Sequence, residues 1–123
     1  MTATGLSAIG QIGSTVRDLD RAVRFYRDVL GLPLLFTAPP GLAFFDCAGV
    51  RLMLAVAEDA AADRPSAPLY FRVDDIRRVH ETLVARGVVF SREPHCLARL
   101  PDREVWMAFF DDGEGNTLAL MSE

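Results

Sequence analysis

The chain has 123 residues, half of them hydrophobic and 24% charged, with a formal net charge of −4 at pH 7. That length and composition fit one soluble globular domain able to bury a core without disulfide or metal staples. No apolar run approaches the roughly 18 residues of a bilayer span, and basic residues dispersed among acids leave no footprint for nucleic acid. MTATGLSAIG lacks the basic start and apolar stretch of a secretory signal, so a cytoplasmic protein is expected. Cys47 and Cys96 show no CxxC spacing and are expected to be free thiols. Gly-rich phosphate loops, HExxH and a Ser nucleophile elbow are all missing from the sequence.

The first periodic segment, Ala8 to Val16, alternates apolar and small residues and suits a strand. Asp18 or Asp20 can then cap a helix in which Ala22, Val23, Tyr26, Val29 and Leu30 recur at helical spacing, with Gly31 as the stop. Arg17, Arg21, Arg24 and Arg27 fall on its other face among acids, which reads as a solvated surface. Three short strands follow, Leu34–Thr37, Leu42–Asp46 and Arg51–Val56, separated by Pro39-Pro40-Gly41 and Ala48-Gly49. Residues 57–67 are small, polar and Pro-containing, as in a linker.

After the linker the grammar restarts. LYFRVDDIRRVHETLVARGV repeats STVRDLDRAVRFYRDVLGL: strand, Asp cap, amphipathic helix, Gly stop. Val16, Asp18, Leu19 and Ala22 align with Val73, Asp75, Ile76 and Val79 at one offset. FFDCAGVRLML likewise returns as FFDDGEGNTLAL, with one residue inserted in the turn. The expected fold is therefore α+β, one domain of two βαβββ repeats, 7–56 and 68–122. Each repeat has one helix for one face of its mixed sheet. Two repeats can share their uncovered faces and enclose a cleft. Alternation places Ile12, Val16, Leu69, Phe71 and Val73 under the helices. It leaves Gln11, Gly13, Thr15, Pro68, Tyr70 and Arg72 on the open side.

VRDLDRAVRFYRDVLGL, FRVDDI with ARGVVF, and FFDDGEGNTLAL together resemble the vicinal oxygen chelate superfamily of glyoxalase I, bleomycin-resistance proteins and extradiol dioxygenases. The resemblance covers nearly the whole chain and implies the fold more than a reaction. It also implies a homodimer and a small-molecule ligand. Metal-dependent members carry His, Glu or Gln on the first and last strand of each repeat. Carried over, those positions are Gln11, Met53, Pro68 and Ala119. Only Gln11 offers a donor for a hard cation, so no metal and no other cofactor is expected.

The remaining polar chemistry lies in SREPHCLARLPDREVWMAFF. His95 sits in a strand-like stretch with Glu104 as a candidate partner, and the pair could carry protons. His80, on the second helix, reads as a surface residue. The expected function is binding of a small apolar or aromatic molecule by Gln11, Met53, Tyr70, Arg72, Trp106 and Ala119. It would be either a sequestering module or a metal-free lyase or isomerase using His95 and Glu104. The alternative is a divalent-metal enzyme with relocated ligands Gln11, His95 and Glu104. A blander one is a partner domain whose cleft is filled by its own side chains.

Overall fold

The computed structural model describes residues 4–57 and 66–123. Most of the expected linker lies outside the described residues. In chain order the elements are β1 (Gln11–Val16), α1 (Leu19–Arg24), β2 (Leu34–Ala38), β3 (Leu42–Cys47) and β4 (Val50–Val56). The second repeat gives β5 (Leu69–Arg72), α2 (Ile76–Ala85), β6 (Phe90–Arg99), β7 (Glu104–Asp111) and β8 (Thr117–Ser122). The first sheet has the order β1-β4-β3-β2 and the second β5-β8-β7-β6. In each, the first and last strands of the repeat run parallel and the other neighbours antiparallel. Two βαβββ units with mixed sheets are thus present. Among the described residues no helix is long and apolar enough to cross a membrane.

Both helices start on the expected aspartates. The Asp18 carboxylate accepts from the Arg21 amide and the Asp75 carboxylate from the Arg78 amide, each at 3.1 Å, satisfying donors that the first turn leaves open. The helices end differently. Thirteen positions separate Asp18 from Gly31, but twelve separate Asp75 from Gly87. The extra residue is absorbed in a π-helical turn, Phe25–Val29, that continues α1. A wider turn takes up one insertion while the cap and the glycine stop stay in place.

The expectation that the repeats turn their uncovered sheet faces toward each other is corrected by the structure. The repeats meet through their helix sides, and one core cluster contains Tyr26, Phe45 and Leu52 from the first together with Leu83, Phe110 and Leu118 from the second. The reason is coverage: each helix is short, and large apolar residues of its sheet remain to be buried against the other repeat. Phe25 and Phe110 meet across the junction with ring centres 6.5 Å apart and planes tilted by 52°. The faces turned away from the helices stay open within the chain, where Phe36 and Tyr70 are 47% and 50% exposed.

Polar contacts lock the same junction. Asp112, buried at 3% exposure, accepts the Tyr26 hydroxyl at 2.6 Å and the Asn116 side-chain amide at 2.8 Å on one oxygen. Its other oxygen accepts the Glu114 and Asn116 backbone amides at 2.8 and 3.1 Å. Glu114 then reaches the start of α1, accepting from the Arg17 and Asp18 amides and from Arg21. Asn116 donates its side-chain amide to the Thr15 carbonyl, and the Thr15 amide donates to Ser66, so the free edge of β1 is partly satisfied. Burial, then the neighbouring Asp112 carboxylate, push the Tyr26 phenol above its ordinary value and keep it a donor. Burial alone would raise the Glu114 carboxyl, but the two amides and the Arg21 guanidinium outweigh it and lower its pKa.

Tyr26→Phe keeps the ring packing and deletes one hydrogen bond to a buried carboxylate. Urea melts should show a loss of about 1–3 kcal/mol. Glu114 titrates below its ordinary 4.5 in the folded chain, so its contribution is complete above that value and drains away as pH falls through the depressed folded pKa. Glu114→Gln should accordingly lose less stability than the parent as pH falls through that depressed value, read from urea melts over an acidic pH series.

Candidate functional site

On the open face of the first sheet, Gln11, Arg51, Met53 and Phe44 form one connected patch. Gln11 pairs with Arg51 and Gly13 with Met53 across the β1–β4 ladder, and Phe44 faces Met53 from β3. Arg51 Nε donates to Gln11 Oε1 at 2.8 Å, and Gln11 Nε2 lies 3.6 Å from Met53 Sδ. The Arg51 guanidinium sits over the Phe44 ring at 5.4 Å, a cation–π contact.

The second sheet repeats this layout with volumes exchanged. Gly13 is the counterpart of Tyr70, and Met53 of Ala119. A side-chain carbon built on Gly13 would stand 3.5 Å from the Met53 methyl, which occupies that space. Ala119 lies between Tyr70 and Phe109 in register, and those rings meet edge-to-face at 6.3 Å. Ala119 is 0% exposed as a result.

The two repeats also differ at their β-hairpin turns, and the difference opens a cleft. The turn between β7 and β8 docks on the start of α1 through Glu114 and Asn116. The turn between β3 and β4 is one residue shorter and carries neither side chain. At the place where it would dock on β5, a cavity of about 730 Å³ remains. Leu32, Leu52, Leu69 and Phe71 supply apolar lining, and Cys47 lies on the turn side. Arg51, Tyr70 and Arg72 also line it and are exposed, which puts them at its mouth. Asp46, the acid in the lining, accepts from the Gly49 amide at 3.1 Å. Burial, helped by the Asp46 carboxylate, pushes the Cys47 thiol above its ordinary value, so it is held as the poorly nucleophilic thiol. Cys47 and Cys96 are both free.

A family model described as Glyoxalase/Bleomycin resistance protein/Dioxygenase superfamily matches residues 8–120. The chain belongs to that superfamily. The Bacillus subtilis (strain 168) protein YraH is 28% identical over 126 residues, covering 89% of this chain and 94% of that protein. The crystal structure of lactoylglutathione lyase from Agrobacterium tumefaciens superposes with a TM-score of 0.75 at 26% identity, over 97% of this chain and 96% of that one. A superfamily member from Sphaerobacter thermophilus gives 0.76 at 22% identity, covering 96% and 98%, and shares the fold.

Against the superfamily's metal-site positions, the donor set of this chain does not fit a divalent ion. Pro68 and Ala119 have no donor, and Met53 has a soft thioether. Gln11, the one hard donor, already binds the Arg51 cation, whose charge would repel an incoming metal. The relocated set is not assembled either. His95 Nδ1 bonds the Glu93 carbonyl at 2.8 Å, and its ring lies against Phe109. Its Nε2 is buried without a partner. Glu104 is engaged elsewhere, by Arg99 at 2.9 Å and by Trp106 Nε1 at 3.1 Å. Among the described residues, no three His, Cys, Asp or Glu gather as a metal cluster.

Of the residues singled out from sequence, Tyr70 and Arg72 line the cleft. Gln11 touches it through Arg51. Met53 fills space beside Gly13, and Ala119 is sealed under two rings. Trp106 is corrected to the helix side: it packs against the core, with the α2 residue Arg77 over its ring at 5.1 Å. The pairing of His95 with Glu104 is also corrected, because Glu104 stands opposite Arg99 in register while His95 stands opposite Met107. Sequence reading missed Arg51 and Cys47. The shorter first turn was the available signal for both.

Ala119→His tests the packing account. The imidazole has no room beneath Tyr70 and Phe109, so melts should show a loss of about 1–3 kcal/mol. Combining it with Tyr70→Gly, which copies the Gly13–Met53 arrangement, should recover part of that loss.

Proposed function

We propose that this protein binds a small, predominantly apolar molecule in the 730 Å³ cleft and needs no divalent metal to do so. The observation that carries this reading is the cleft itself. Its size lies within the usual range of ligand sites, and a mostly apolar lining meets a few polar groups at the mouth. The chemistry of the metal-site positions supports the second half of the reading. Sequestration is favoured over turnover because neither His95 nor Glu104 lines the cleft and its thiol is held protonated. A homodimer is part of the proposal: exposed Phe36 lies on a sheet face that a second copy would cover.

The test uses N-phenyl-1-naphthylamine, a neutral apolar fluorophore. Titration should saturate at one probe per chain, unchanged by EDTA, and Mn²⁺, Ni²⁺ or Zn²⁺ should leave on dialysis. Absence of saturable binding would sink the reading. So would a stoichiometrically retained ion whose removal abolishes binding. In analytical ultracentrifugation the parent should sediment as a dimer and Phe36→Glu as a monomer.

A further inference from the structure

We infer that the occupant of the cleft is an amphipathic anion, its apolar body against Leu52, Leu69 and Phe71 and its anionic head between Arg51 and Arg72. This rests on the cleft being the binding site and adds the chemical class of its ligand. Arg51 and Arg72, one from each repeat, are exposed and line a mostly apolar cavity. Arg51 is already oriented: Gln11 takes its Nε, and Phe44 lies beneath the guanidinium. A planar group held this way presents its remaining N–H donors with little ordering left to lose. Arg72 lies 3.8 Å from the Glu123 carboxylate, an ion-pair distance too long for a hydrogen bond, so a better-placed anion can compete for it. Asp46 keeps its negative charge while its Oδ1 accepts from the Gly49 amide, but the lining holds two arginines to this one acid. Tyr70 adds a phenol to the same lining, able to donate to an oxyanion.

The geometry selects against cations and against compact anions without an apolar body. Burying an alkyl chain contributes about 0.8 kcal/mol per CH₂, which free phosphate or sulfate cannot collect.

Displacement of N-phenyl-1-naphthylamine by decanoate, decanol and decyltrimethylammonium reads the class directly. Decanoate should displace the fluorophore at least fivefold more tightly than decanol, with the ammonium weakest, and added NaCl should erode that preference. Arg51→Gln and Arg72→Gln should each lower the decanoate-over-decanol ratio about fivefold, the size of one partly exposed ion pair. Fluorophore binding by each variant reports that it is folded. In a Cys96→Ser background, saturating decanoate should slow alkylation of Cys47 by N-ethylmaleimide severalfold. Equal binding of the anion and the ammonium would overturn the inference while leaving the cleft reading intact. A ratio insensitive to both arginine substitutions, or an unprotected Cys47, would also overturn it. Failure of the fluorophore to bind at all would remove both readings together.

Discussion

The carboxylate of Asp112 is the group on which the arrangement of the two repeats depends. It is buried and receives four donors, the Tyr26 hydroxyl, the Asn116 side chain and two backbone amides. A carboxylate in that position is tolerable only when its oxygens are satisfied. Satisfying them ties α1 of one repeat to the β7–β8 turn of the other. Once that turn is held, Glu114 falls at the start of α1 and Asn116 at the edge of β1. The helix-side core then has one register in which Phe25 meets Phe110. The first repeat has no such group at its own turn, and the cleft lies where the matching contact is missing.

Much of the fold was legible because its signals are local. Asp caps, glycine stops, alternation and the recurrence of FFD segments each lie within a few residues, and they located both sheets and both helices. The junction was not legible, since its contacts join residues about ninety or more positions apart. One trace of it was present. Tyr26 and Asp112 stand where the other repeat has Leu83 and Cys47, so two apolar positions became polar together, the pattern of a buried pair. Which way the repeats turn could not be read from strand patterns alone, because both sheet faces carry large apolar residues.

The site was harder still. Trp106 follows the alternation of Ala108 and Phe110, both buried in the core, and that parity would have placed it under α2. The β6–β7 ladder breaks register at three points, so counting along β6 from His95 to Arg99 does not preserve a face. At the metal-site positions, Met53 and Ala119 do not make a greasier wall for a ligand. Gly13 with Met53, and Tyr70 with Ala119, are a large and a small side chain exchanged between neighbouring strands. Each pair fills the volume the other leaves, as close-packed interiors require.

The π-helical turn after α1 bears on the history of the chain. Its extra residue falls at the level of Phe25 and Tyr26, the side chains that reach across to the other repeat. The halves have therefore stopped being interchangeable. A molecule assembled from two first repeats would present two tyrosines and no Asp112 to receive them. One assembled from two second repeats would hold two buried carboxylates, each without a phenol. The two repeats are therefore complementary and not equivalent: one carries the phenol, and the other the buried carboxylate that receives it.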